Sequence, residues 1–84
     1  MKWQAVRETY PDAWVLVEAI SGHSAQGRRI VEDLAVLNTF DSSERAISAY
    51  KELHKSSPAR ELYVAHTRKE DLEIIERKWL GIRL

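Results

Sequence analysis

The stretch Asp41–Pro58, DSSERAISAYKELHKSSP, has the clearest structural pattern in the chain. Its apolar residues recur at helical spacing, which predicts an amphipathic α-helix packed on a core; they are Ala46, Ile47, Tyr50, Leu53 and His54. Asp41 or Ser42 is expected to accept hydrogen bonds from the first-turn amides, and Asp41 with Glu44 has the spacing of a capping box. Pro58 ends the helix. Such a helix needs a second layer, so the flanking segments decide the fold.

Two strand-like segments precede this helix. Residues 13–20, AWVLVEAI, are apolar on both alternating faces, which is typical of a central strand. Residues 28–40 form a second run of apolar residues, with Glu32-Asp33 in its middle, where we expect an exposed stretch or a β-bulge. Between them, SGHSAQG at 21–27 carries two glycines and is predicted to be a flexible hairpin loop.

A third strand is predicted after the helix, at residues 60–66, RELYVAH. Because a helix joins it to the second strand, these two strands should run parallel through a right-handed crossover. The helix would then cover one face of the sheet. The opposite face would be left to the chain ends or to a partner.

The N-terminal segment is predicted to be a short helix. Trp3, Val6 and Tyr10 have the spacing of one helical face, and Pro11 follows directly. A helix this short is not stable alone, so it should dock on the rest of the protein.

The C-terminal segment allows two interpretations. Thr67 and Glu70 have capping-box spacing, and Leu72, Ile75 and Trp79 continue it at helical spacing toward Gly81. A strand over LEIIERKW, residues 72–79, competes with this helix. With the helix preferred, the predicted fold is a single α+β domain over residues 1–84, with a three-stranded sheet in β-β-α-β order, one main helix, a short N-terminal helix and a C-terminal helical segment.

Composition narrows the function classes. The 84 residues contain 13 basic and 13 acidic side chains, so no net charge attracts nucleic acid, which is disfavoured as the main partner. The absence of cysteine excludes thiol catalysis and disulfides and fits a reducing compartment. No apolar run is long enough for a signal peptide or a membrane span. We predict a cytoplasmic protein without cofactor, metal or identifiable small-molecule substrate.

The sequence offers one arrangement of residues that could act as a catalytic triad. His66 would act as the base, oriented by Glu18, with Thr67 or Ser21 as nucleophile. No nucleophile-elbow motif accompanies these residues. The other histidines, His23 and His54, share no metal-ligand spacing with His66. We therefore assign no catalytic residue and no metal ligand.

The sequence also offers two sets of residues that could act on or bind phosphate groups. Acidic residues on the predicted strands offer magnesium ligands for nuclease chemistry; they are Glu18, Glu32, Asp33 and Glu61. Basic residues offer a surface for a phosphate backbone; they are Arg28, Arg29, Arg68, Lys69, Arg77, Lys78 and Arg83. Acidic residues are interleaved with the second half of this basic set, which is typical of a solvated, salt-bridged surface.

The strongest candidate for binding is the C-terminus. It combines apolar residues with tryptophan and arginine, which are enriched at interface hot spots; the candidate interaction residues are Trp79, Leu80, Ile82, Arg83 and Leu84, together with Trp14. The alternative is that Trp79 folds back onto the open sheet face of its own chain.

The pattern resembles short uncharacterised bacterial proteins and domains of unknown function. The resemblance is carried by Tyr10-Pro11, the strand beginning at Trp14-Val15, the helix from Ser42 and the strand through Val64. It implies a β-β-α-β core and assigns no catalytic residue.

We predict a non-enzymatic protein–protein interaction module, either a homodimer or an accessory subunit of another protein. Its binding surfaces would be a sheet edge, which offers unpaired backbone amides, and the C-terminal residues 79–84. A nucleic-acid-binding or antitoxin-like regulator is one alternative. A small hydrolase that uses His66 is the other.

Overall fold

The computed structural model describes residues 1–72 and 74–75 and has an α+β fold. Its two helices and four strands follow in the order α1 (Trp3–Thr9), β1 (Trp14–Ala25), β2 (Arg28–Phe40), α2 (Ser43–Ser56), β3 (Leu62–His66) and β4 (Ile74–Ile75). The predicted fold class and the β-β-α-β core are confirmed. Neither helix in the described ranges is long and apolar enough to cross a membrane.

The sheet has the order β3-β1-β2-β4, and neighbouring strands are antiparallel. Because β2 and β3 both run opposite to β1, they run parallel to each other, as predicted, and α2 carries the chain across β1 between them. Strand β1 is central, as its two apolar faces indicated. Strand β3 is left at one edge of the sheet, and the two-residue β4 lies at the other.

The sheet is covered by a different helix on each face. On one face, Val6 of α1 packs with Val15, Val17 and Leu34 in the buried core cluster. Leu16 and Leu62 are also buried but belong to the alternate set of strand positions, on the side of α2. The expectation that a chain end covers the second face is therefore confirmed for the N-terminal helix.

The predicted loop at 21–27 is wrong. Strand β1 continues to Ala25, and only Gln26 and Gly27 form the turn, both with positive φ (53° and 75°). Positive φ at two successive residues is the pattern of a type I′ turn, which matches the twist of a hairpin. Gly22 is a strand residue, and a Cβ there would lie 2.4 Å from the Ile30 carbonyl oxygen. This glycine is needed for close backbone approach rather than for flexibility.

The bulge expected at Glu32-Asp33 is confirmed. The register of β1 against β2 shifts between Ala19 and Ser21 and again between Ser21 and Gly22, where the partner changes from Asp33 to Val31. Bulges bend strands and increase their twist, so the outer part of this hairpin is curved.

The predicted capping box at Thr67 is wrong, and the helix expected to begin there is not formed in the described residues that follow it. Thr67 accepts a hydrogen bond from the Ala13 amide rather than from Glu70, and no helix occurs at 67–72. Ile74 and Ile75 pair as β4 with Arg29 and Arg28 of β2, which agrees with the competing strand interpretation. The remainder of the predicted segment lies outside the described residues.

Candidate functional site

The outer edge of β3 is the first candidate binding surface. Hydrogen bonds from the Ala19 amide to the Glu61 carbonyl and from the Thr67 amide to the Ala13 carbonyl, both 2.9 Å, set the phase of the ladder between β1 and β3. Backbone polar groups alternate in direction along an antiparallel strand, so Leu62, Val64 and His66 turn theirs away from β1. Within the described ranges, no strand pairs with this side of β3.

An apolar groove lies beside this edge, on the face covered by α2. It has a volume of about 480 Å³. Its lining combines the first residue of β1, the outer side of α2 and most of β3; the residues are Trp14, Ser43, Ile47, Tyr50, Lys51, Leu62, Tyr63 and Val64. Ile47 is 43% exposed, although it belongs to the apolar stripe of the helix. The helix therefore does not bury its whole apolar face against its own sheet.

Trp14 is the one predicted interaction residue within the described ranges. It is partly buried and lines the groove, and its ring meets His66 edge-on at 5.0 Å between centroids. The other predicted interaction residues, Trp79, Leu80, Ile82, Arg83 and Leu84, lie outside the described residues.

The proposed catalytic arrangement around His66 is not formed. Glu18 holds Arg60 through two hydrogen bonds, of 2.6 and 3.1 Å, and pairs in register with Leu62 rather than with His66. The pKa of Glu18 is lowered, mainly by the hydrogen bond from Arg60. His66 Nδ1 accepts a hydrogen bond from the Arg68 amide at 3.1 Å. The imidazole thus shapes the end of β3 and is not oriented by the expected carboxylate.

Thr67 has a structural role that the sequence pattern did not indicate. The residue is 3% exposed, and its hydroxyl accepts a hydrogen bond from the Ala13 amide at 3.0 Å. Its carbonyl oxygen is thereby left to accept a hydrogen bond from Arg7 Nε of α1 at 2.9 Å. Thr67 thus joins the strand end to the N-terminal helix.

Each of the four carboxylates offered as magnesium ligands has a different partner. Glu18 pairs with Arg60, Glu61 with Arg29, Glu32 with His23, and Asp33 with the amino group of Met1. No group of three possible metal ligands occurs in the part of the chain that the structure describes.

A network of Arg29, Glu61 and Tyr63 was not foreseen. Arg29 donates two hydrogen bonds to Glu61, at 2.7 and 2.8 Å, and the Tyr63 hydroxyl donates one at 2.6 Å. The hydrogen bond from Arg29 is the main cause that lowers the pKa of Glu61. Burial, followed by the hydrogen bond to Glu61, raises the pKa of Tyr63 to about 12. Arg29 is therefore engaged in an internal ion pair, which does not favour a phosphate-binding role.

The contact between Arg29 and Glu61 requires the hairpin to be curved. Along β1, Arg29 lies opposite Ser24, whereas Glu61 lies beside Ala19, whose amide donates a hydrogen bond to the Glu61 carbonyl oxygen. Five residues of straight strand would separate these positions by about 16 Å. The bulges between them bend β1 and bring the two side chains together.

Other exposed apolar residues lie outside the groove. Ile20, in the bulged part of β1, is 57% exposed, and Ile30 of β2 is 42% exposed. Neither lines the groove, and single exposed apolar residues are common on protein surfaces. Ile20 is therefore a useful control position for experiments on the groove.

The sequence predicts that the apolar stripe of α2, which includes Ile47 and Tyr50, packs on the core. In the structure Ile47 lies at the exposed side of this stripe. The available signal was Lys51, which directly follows Tyr50 and brings a charge to the same side of the helix as Ile47. A charged residue beside an apolar stripe is typical of its solvent boundary.

Comparisons with family models, curated proteins and solved structures give no match.

Proposed function

We propose that this protein is a non-enzymatic protein–protein interaction module that binds through the edge of β3 and the apolar groove beside it. The observation that carries the proposal is their juxtaposition: outward-turned backbone groups at Leu62, Val64 and His66 lie next to an apolar lining. Addition of a strand to a sheet edge supplies backbone hydrogen bonds, and neighbouring pockets supply specificity.

The composition of β3 supports this proposal. Sheet edges are usually guarded by charged residues, proline or a covering segment. Leu62–His66 contains no lysine, arginine, carboxylate or proline. Without such guards, β3 is suited to accept another strand.

The expected setting is the cytoplasm, either as a homodimer or as an accessory subunit. A chain without cysteine is compatible with a reducing compartment. The C-terminal residues 79–84 are proposed to add to the binding surface, because they combine tryptophan, arginine and aliphatic side chains.

The proposal predicts that Ile47→Asp abolishes binding, because it introduces a charge into the apolar groove. The full chain would be used as bait in cells that also express a second, differently tagged copy, with recovered proteins quantified by mass spectrometry. Proteins bound by the wild type should be lost with Ile47→Asp. The matched control is Ile20→Asp, which changes a more exposed isoleucine outside the groove. This variant should still recover the proteins that the wild type binds.

Circular dichroism and thermal unfolding would establish that both variants are folded. Equal recovery with Ile47→Asp and with the wild type would contradict the proposal, and loss with Ile20→Asp alone would assign binding to the other surface. A chain lacking residues 79–84 tests the C-terminus separately. Unchanged recovery and native mass for this truncated chain would show that the tail takes no part in binding.

A further inference from the structure

We propose that the partner of the β3 edge is a second copy of this chain, joined by antiparallel pairing of the two β3 strands about a two-fold axis at Val64. This inference rests on the proposed interaction function and names its partner. It follows from the direction of the backbone polar groups of β3, from the charges of the residues that would face each other, and from the groove beside the strand.

The phase of the backbone suits self-pairing. The register with β1 runs without a shift from Trp14 opposite His66 to Glu18 opposite Leu62. The hydrogen bonds of the Ala19 and Thr67 amides at its two ends set the phase, so the outward-turned residues are Leu62, Val64 and His66. Antiparallel pairing about Val64 places Val64 opposite its own copy and Leu62 opposite the partner's His66. All three outward-turned residues then face outward-turned residues, which an antiparallel ladder requires.

The charges also permit this register. The pairs formed within β3 are Leu62 with His66, Tyr63 with Ala65, and Val64 with itself, and none joins two side chains of like permanent charge. Beyond the strand, Arg60 comes opposite the Arg68 of the other copy. Each is already paired within its own chain, Arg60 with Glu18 at 2.6 Å and Arg68 with Asp12 at 2.8 Å.

The net charge of the chain favours self-association over mutual repulsion. Thirteen basic and thirteen acidic residues cancel, so two copies approach without long-range repulsion. Proteins with net charge near zero associate more readily than highly charged ones.

The groove extends the contact beyond the five residues of β3. Stable interfaces involve roughly 20–30 residues on each side, so strand pairing alone is too small. A two-fold axis at Val64 leaves the α2 helices of both copies on the same face of a continuous sheet. The groove containing Ile47 and Tyr50 then meets its symmetry mate above the Val64 pair.

The first test is the native mass of the full chain by sedimentation and light scattering over a wide concentration range. The expected result is twice the 9.7 kDa of one chain. Val64→Pro should raise the dissociation constant at least about tenfold, because the two-fold axis removes two hydrogen bonds at once. Proline is tolerated on an edge strand where its nitrogen faces outward, so the pairing with β1 is retained. Ile47→Asp gives a second variant that leaves the strand unchanged.

The second test fixes the register by cross-linking, since the natural chain has no cysteine. In the proposed dimer the two Val64 Cα atoms lie about 5.5 Å apart, within the range of a disulfide. The two His66 Cα atoms lie about 13 Å apart, which a disulfide does not span. Under mild oxidation Val64→Cys should form covalent dimers at least about tenfold faster than His66→Cys or Ile20→Cys.

The proposal is overturned if the wild type has the mass of one chain throughout, if Val64→Pro, shown to be folded, dimerises as the wild type does, or if His66→Cys cross-links fastest. A monomeric wild type whose bound proteins are lost with Ile47→Asp would overturn the two-fold pairing and leave the interaction function standing. A monomeric wild type with unchanged recovery by Ile47→Asp would overturn both.

Discussion

At the scale of single residues, Thr67 shows how one side chain can change the path of the chain. In a regular ladder the Ala13 amide would bond to the Thr67 carbonyl oxygen. Here the Thr67 hydroxyl takes that position, and the carbonyl oxygen accepts from Arg7 instead. A single buried hydroxyl thus ends strand pairing and connects α1 to the sheet.

This role predicts different outcomes for two substitutions of Thr67. Thr67→Val keeps the shape but removes the acceptor, so the Ala13 amide is left without its partner and the free energy of unfolding should fall by about 1–3 kcal/mol. Thr67→Ser keeps the acceptor and loses one buried methyl group, at a cost of about 1 kcal/mol. Amide hydrogen exchange distinguishes the two variants, because only Thr67→Val should accelerate exchange of the Ala13 amide. Unchanged protection of Ala13 in Thr67→Val would contradict the assigned hydrogen bond.

At the scale of elements, α2 was predictable because its signals are local. Its N-cap, its apolar spacing and its proline stop all lie within 18 consecutive residues. The sequence left Asp41 and Ser42 as alternative caps, and the structure selects Ser42, whose Oγ accepts from the Arg45 amide at 3.3 Å. Asp41 instead makes an exposed contact with the Arg45 side chain at 3.7 Å, and the predicted capping box with Glu44 is not formed.

This difference predicts that Ser42→Ala lowers the free energy of unfolding by about 1 kcal/mol, because the first turn loses an acceptor. Asp41→Ala should change it by less than about 0.5 kcal/mol, since it removes only an exposed ion pair. Denaturant unfolding of both variants measures the contrast. A larger loss for Asp41→Ala than for Ser42→Ala would show that the cap is assigned to the wrong residue.

The elements that sequence reasoning missed depend on distant partners. Glycines at Gly22 and Gly27 suggested a loop, yet Gly22 is a strand residue packed against the Ile30 backbone. Thr67 and Glu70 have the spacing of a cap, but the Ala13 amide, 54 positions away, competes for the hydroxyl. Local patterns cannot register such competition, because the competing groups become neighbours only after folding.

At the scale of the whole molecule, the network of Arg29, Glu61 and Tyr63 ties the curved hairpin to the start of β3. Glu61 has a lowered pKa in the folded state, so its contribution to stability is present above its ordinary pKa and is lost as the pH falls through the lowered value. Tyr63 has a raised pKa, so its contribution is complete below its ordinary value of 10.0 and is lost as the pH rises through about 12.

The network therefore predicts that stability decreases in two pH windows. Glu61→Gln should weaken the acid dependence of the free energy of unfolding, and Tyr63→Phe should remove the alkaline loss between about 10 and about 12 that belongs to Tyr63. Denaturant unfolding across pH measures both effects, and tyrosinate absorbance follows Tyr63 directly. Tyr50→Phe is the matched control and should leave the high-pH Tyr63 transition in place. Loss of that transition in Tyr50→Phe would contradict the assignment.

The sequence by itself determined the fold class, the main helix and the central strand. These depend on the spacing of apolar residues along continuous segments, and such spacing specifies which face of an element is buried. The tertiary structure alone decided that β3 forms an edge, that Ile47 lines a groove, and that Glu18 and Glu61 neutralise arginines instead of joining His66 or a metal. The physical reason is that strand order and ion pairing arise between residues far apart in the chain, where hydrogen-bond geometry and charge select among partners that no local pattern distinguishes.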